Sequence, residues 1–246
     1  MRRCILAVVM LFTVCTWANA ETRQEQAQQA QRLDKQGKAA EAFYLASQLY
    51  FQDDRDVGQW SPSAYVRSEN PDRASLFIAN PDAVPAEIRS AVLATSFWVL
   101  AERKLRDLDE RHLSIAGEEY ELLKTFEHHA DPLAIFDGAK KNPVVAMAKA
   151  KLAQVLLVAE RKIFLRLPHK TDTVRASYQK LQQQRWLEIW LLVGDLADSG
   201  PDISLLACEA LVRTDQHPEL ARKLLAQAGK QKPGSPDYLR LHAELP

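Results

Sequence analysis

Apolar residues recur three and four positions apart along most of the chain, the spacing that lays them on one face of an α-helix. Ala30, Leu33, Ala40, Phe43, Ser47 and Tyr50 begin the pattern; Ile88, Val92, Thr95, Val99 and Leu105 continue it, and Val144, Met147, Ala148, Leu152, Val155 and Val158 repeat it. Alternating runs between glycine-rich turns, which would announce strands, are missing, and of the eight glycines only Gly138, in Asp137-Gly138, follows an Asp or Asn. The pattern predicts an all-α fold with helices at about 22–35, 38–52, 86–113, 115–129, 143–167, 172–198, 202–213, 218–230 and 236–244. Trp186 and Trp190, four apart within "RWLEIWLLVGDL", lie in the most apolar run after the N-terminus, which predicts a central helix buried on nearly every side.

Helix starts share one device. Asn70-Pro71, Asn80-Pro81, Asn142-Pro143 and Ser235-Pro236 each place a capping side chain before a proline, which has no N–H to lose at the first helical position. Leu167-Pro168 and Ser199-Gly200-Pro201 mark helix ends. Residues 53–85 have another texture, with Pro62, Pro71, Pro81, Pro85 and the charges Asp53-Asp54-Arg55 leaving room only for short helical turns. Trp60 and Tyr65 in this segment are the candidate partner-binding residues; the alternative is that they fold back over a helix groove.

The first twenty residues are of a separate kind. Arg2 and Arg3 precede an apolar run from Ile5 to Val14, and Ala18-Asn19-Ala20 supplies the small residues that signal peptidase requires, so a signal peptide over 1–20, cleaved after Ala20, is expected. Phe12, Thr13 and Val14 lack the small residue that lipid-modifying enzymes require before a cysteine, so lipid anchoring at Cys15 is not expected. Residues 21–246 then form a single all-helical domain, with an N-terminal hairpin at 21–52, the proline-rich connection at 53–85, long central helices at 86–198, and a C-terminal hairpin with a closing helix at 199–246. With no second apolar run of membrane length, no membrane span is expected in this domain.

Charge and cysteine content narrow the functional classes. Lys and Arg number 32 against 32 Asp and Glu, and loss of Arg2 and Arg3 with the signal tips the balance to −2. Such a chain lacks the basic excess that releases counterions from phosphates, and no nucleic-acid partner is expected. Cys4 and Cys15 leave with the signal, so Cys208 has no internal disulfide partner; inside an apolar helical run it reads as a buried small hydrophobe. The lone cysteine and the absence of Asn-x-Ser/Thr point to a bacterial periplasm, or to secretion.

Near the C-terminus, in "HPELARKLLAQAGKQKPGSPDYLRLHAEL", Ala221, Leu225, Ala228 and Pro233 follow the small, large, small, proline spacing of a repeat's second helix, and Leu205, Cys208 and Val212 fit the first. In "AQRLDKQGKAAEAFYLASQLY", Ala30, Leu33, Gly37, Ala42 and Ala46 look like the same hairpin. Over 27–50 and 204–246 the chain resembles tetratricopeptide-like helical repeat proteins, in which small residues let antiparallel helices approach closely. The resemblance implies a solenoid-like stack of hairpins that binds a protein or peptide. Ala42 and Ala221 are 179 residues apart, not a multiple of the 34-residue period, so the hairpins are irregular. The final segment "SPDYLRLHAELP" then reads as a closing helix, with Leu239, Leu241 and Leu245 inward and Arg240, His242 and Glu244 toward water.

Catalytic and metal-binding patterns are not found. The six histidines form no His-x-x-x-His pair and no HExxH, and no G-x-S-x-G, GxxxxGK[ST] or GxGxxG occurs. No catalytic residue, metal ligand or cofactor is therefore expected. The reading is an exported, non-enzymatic helical scaffold that binds another protein or peptide, accessory to an envelope complex. The alternative is an all-helical lyase or hydrolase of envelope polymers using Glu118, Glu119 or His128.

Overall fold

A computed structural model describes residues 23–67, 72–110, 142–167 and 170–245. They form ten α-helices and no strand: α1 (Arg23–Lys35), α2 (Ala39–Gln52), α3 (Pro62–Val66), α4 (Asp72–Ala79), α5 (Ala86–Glu110), α6 (Pro143–Arg166), α7 (Asp172–Val193), α8 (Pro201–Thr214), α9 (Pro218–Gln231) and α10 (Pro236–Glu244). Short 3-10 turns precede α5 at Pro81–Ala83 and follow α7 at Gly194–Ser199. The fold is all-α, and the helix bounds lie within a few residues of those the apolar spacing predicts. The segment 115–129 and the caps at Asn70 and Pro168 lie outside the described residues.

Caps explain why these helices start where they do. Asn142 and Ser235 accept backbone N–H bonds from Val144 and Tyr238, and the following prolines occupy the first turn. Ser61 caps α3 in the same way. Asn80 does not: it makes no capping bond, and its side-chain amide turns back toward the Leu76 carbonyl while a 3-10 turn follows.

Sequential helices pack as hairpins, α1 on α2, α5 on α6, α6 on α7, α7 on α8 and α8 on α9, while α2 also touches α5, α6 and α8. Helix α6 is the centre. Met147, Ala148, Ala150, Leu156 and Ala159 are buried on it, and Trp98 of α5 stacks on Tyr50 of α2 with ring centroids 5.5 Å apart. Helix α7 is not central as its composition predicts. Its buried residues are Arg185, Ile189 and Val193, one stripe at four-residue intervals, while Leu191 is 81% exposed and Trp186 and Trp190 are half-buried. An apolar run that wraps around a helix puts part of itself on the surface when only one side has neighbours. Val158 on α6 likewise faces outward.

The two hairpins that carry the repeat resemblance meet. Helix α8 lies against α2, so the N-terminal and C-terminal ends of the fold touch. Helix α10 closes α9 largely as its pattern predicts, with Leu241 fully buried, Leu245 half-buried against the core, and His242 and Glu244 exposed; the departures are Leu239, which is exposed, and Arg240, which turns back to the Glu209 carboxylate at 2.8 Å. Arg213 of α8 reaches Glu244 at 2.9 Å. Burying one leucine side chain contributes about 2 kcal/mol. Deletion of residues 235–246 should therefore lower the melting temperature by about 5 °C for a domain of this size, and an unchanged calorimetric melt would remove the closing role of α10.

Candidate functional site

Among the described residues, we single out two places that gather polar chemistry. The first joins the ends of the fold. Asp53 and Asp54 follow the last turn of α2, Asp202 sits in the first turn of α8, and Lys232 ends α9. The Lys232 ammonium donates to both Asp202 oxygens at 2.8 and 3.0 Å and to Asp54, and lies 3.3 Å from Asp53. The Asp54 N–H donates to Asp202 at 2.8 Å, Arg55 donates to Asp53, and Arg23 of α1 donates to the carbonyls of Asp53 and Arg55. Oxygens of Asp53, Asp54 and Asp202 lie within 4.8 Å of one another, a spacing that suits a cation, and the lysine provides one.

Electrostatics at this clasp oppose each other. Burial pushes the Asp202 carboxyl above its ordinary value, and the hydrogen bond from Lys232 offsets only part of that. Burial acts on Asp53 the same way, but side-chain and backbone bonds from Arg55 outweigh it and hold that carboxyl low. Burial would lower Lys232, yet its bonds to Asp202 and Asp54 hold it above the usual lysine range. Nearby, burial pushes the Cys208 thiol from 9.0 to about 11 and the Tyr50 hydroxyl from 10.0 to about 12.

Of these four raised groups, Lys232, Cys208 and Tyr50 act together at alkaline pH, while Asp202 acts in the same sense in the acid range. Each keeps its proton when folded at pH values where the unfolded chain has released it, so the stability it contributes is complete below the unfolded value and drains as pH rises through the folded one. Stability measured by urea titration should therefore fall from pH 9 upward. In Cys208→Ala the part lost between 9 and about 11 should shrink by about 2 kcal/mol; a slope equal to that of the unchanged chain would rule out the thiol's share.

The second place is an open trough of about 760 Å³ between α6, α7 and α8. Leu157, Val158 and Trp186 give it apolar surface, Gln154, Gln179, Gln182 and Gln183 supply amides, and Arg161 and Arg213 stand at its sides. Gln182 in its lining is tied to a buried ion pair: Arg185 donates to Glu160 at 2.9 Å, and Gln182 donates to the other carboxylate oxygen at 3.2 Å. At one end the Tyr178 and Phe164 rings stack 4.1 Å apart and 5° from parallel. At the other, Glu209 is held by Arg213 and Arg240. The apolar spacing of α6 and α7 marks these helices, but nothing local in it marks the side on which the trough opens.

Of the sequence candidates, Trp60 and Tyr65 are half-buried and packed against the core, with ring centroids 5.7 Å apart. The Tyr65 hydroxyl donates to Asp34 at 2.7 Å, and Arg73 lies over its ring at 4.4 Å. Neither lines the trough. Cys208 is fully buried and its thiol donates to the Ala221 carbonyl at 3.3 Å. Glu118, Glu119, His128 and Cys15 lie outside the described residues, as does the signal segment. No described helix is long and apolar enough to cross a membrane. No family model, no curated protein and no solved structure matches the chain.

Proposed function

We propose that this chain is an exported scaffold, delivered to the periplasm or secreted after cleavage behind Ala20, which holds a segment of another protein in the α6–α7–α8 trough and serves as an accessory to an envelope complex. The trough carries the reading. Its volume of about 760 Å³ falls in the range of ligand sites, and its open side suits a chain passing through more than an enclosed small molecule. From Gln179 to Trp186 a helix advances about 10 Å, the length of about three extended residues. Glutamine amides offer a donor and an acceptor each, which matches an extended peptide backbone, and the Trp186 and Val158 surfaces offer apolar contact for its side chains.

The clasp supports this role by fixing α8, which contributes Glu209 and Arg213 to the trough. A groove whose walls are already held costs less to order on binding. Kinship with tetratricopeptide-like repeats belongs to the same proposal: α1–α2 and α8–α9 would be two such hairpins brought together, with α10 closing the second.

A photoreactive residue at Gln179 or Gln183, both exposed, should crosslink one discrete protein in intact cell envelopes, while the same group at exposed Glu219 on α9 should not. Adducts of equal yield at all three positions, or at none, would reject the trough as the binding surface.

A further inference from the structure

The end of the α6–α7 hairpin departs from the rest of this charge-balanced chain. From Arg161 to Arg175 the described residues hold five cations, Arg161, Lys162, Arg166, Lys170 and Arg175, against one carboxylate, Asp172. Burial and the neighbouring Arg166 together push the Lys162 ammonium below its ordinary value, as expected where positive charge accumulates. Two cations would suffice to answer the carbonyl end of α6, and Lys170 already donates to the Leu165 carbonyl at 3.2 Å. Five exceed that need.

Apolar surface accompanies the charge. Leu165 is 59% exposed and Leu167 38%, at the last turn of α6. Beside them Phe164 and Tyr178 stack, half-buried, with the Lys170 ammonium 5.8 Å above the Phe164 ring. A soluble polyanion would be met by the cations alone and would leave the leucines in water. A lipid surface uses both, since phosphates meet the lysines and arginines while leucines and ring edges enter between headgroups.

We propose that the tip of the α6–α7 hairpin, through Leu165, Leu167 and the surrounding cations, docks on an anionic phospholipid surface. The chain would rest on that surface without crossing it. The tip shares Arg161 and Tyr178 with the edge of the trough, but Leu165, Arg166 and Arg175, which the test changes, lie outside it, so either proposal can fail alone.

Co-sedimentation of the full chain with phosphatidylglycerol vesicles and with phosphatidylcholine vesicles tests it. Each cation near an anionic surface is worth roughly a fivefold gain in partitioning. The full chain should therefore prefer phosphatidylglycerol, and Arg166→Glu with Arg175→Glu should reduce that preference by about twentyfold or more. Leu165→Ser should reduce binding by about fivefold, the effect of losing part of one buried leucine. These exposed positions allow unchanged melts, and the variants leave the apolar stretch at residues 5–14 intact. Equal binding to both vesicles, or a preference that survives the double variant, would overturn the proposal. So would a preference that is insensitive to Leu165→Ser and abolished by soluble polyphosphate, which would assign the tip to a dissolved polyanion.

Discussion

Lys232→Met should lower the melting temperature by about 10 °C and make the protein's stability respond to calcium. The lysine side chain is 8% exposed and the Asp53 side chain 7%. Asp53 keeps its bonds to Arg55 and Asp54 is half exposed, but Asp202 is left with the Asp54 N–H in place of the ammonium, and losing one partner of a buried ion pair costs about 3 kcal/mol. Methionine keeps the length and apolar packing of the lysine stem, so the loss reports the charge. Asp202→Asn in the same chain should recover much of the stability, because removing both partners of a buried pair is far less costly than removing one. Calcium should raise the melt of Lys232→Met alone: carboxylate oxygens within 4.8 Å of one another can gather around one ion at about 2.4 Å, and in the variant the ammonium no longer stands among them. A variant that melts with the unchanged chain, or a calcium response shared by both, would show that Lys232 does not hold the ends together.

Legibility in the sequence followed the range of the interaction. The helices were readable because the three-and-four spacing and the Asn-Pro and Ser-Pro starts are local, and Asn142 and Ser235 cap as their neighbours imply. Where a helix faces was readable only when one stripe dominated. On α7 the apolar residues run all round, so the sequence could not show that Ile189 is buried and Leu191 exposed. The α8–α9 turn carries no glycine, yet Asp215 and His217 take left-handed backbone angles with φ of 53° and 46°. The clasp had no local signature. Asp54 meets Asp202 across 148 residues and Lys232 across 178, so Asp53-Asp54-Arg55 reads as loop charge until the ends are placed together. The trough was hidden for the same reason, because glutamines spaced along α7 look like solvated surface until α6 and α8 flank them.

Gly200→Ala should be among the most damaging single-methyl additions the fold permits. Gly200 has φ 172°, ordinary extended backbone, so the cost is one of space and not of conformation. A Cβ there would stand 3.0 Å from the Gln52 carbonyl carbon and 3.1 Å from its Cα, and far inside contact distance of the carbonyl oxygen. That obstacle is backbone, which cannot rotate aside as a side chain would. Retreat is blocked from the other direction too: the Ser204 hydroxyl donates to the Gly200 carbonyl at 3.0 Å and to the Ala197 carbonyl, and Asp202 is tied to Asp54 and Lys232. Forcing α2 and α8 apart would therefore stretch the clasp as well as admit the methyl, a loss of about 3 kcal/mol. Gly234→Ala supplies the comparison, since a Cβ there meets nothing within 4 Å and its left-handed freedom is not used; it should be neutral or slightly stabilising. Urea unfolding of the two variants decides the matter, because equal midpoints would mean that the approach of Gln52 to Gly200 does not limit how the two ends of the fold close.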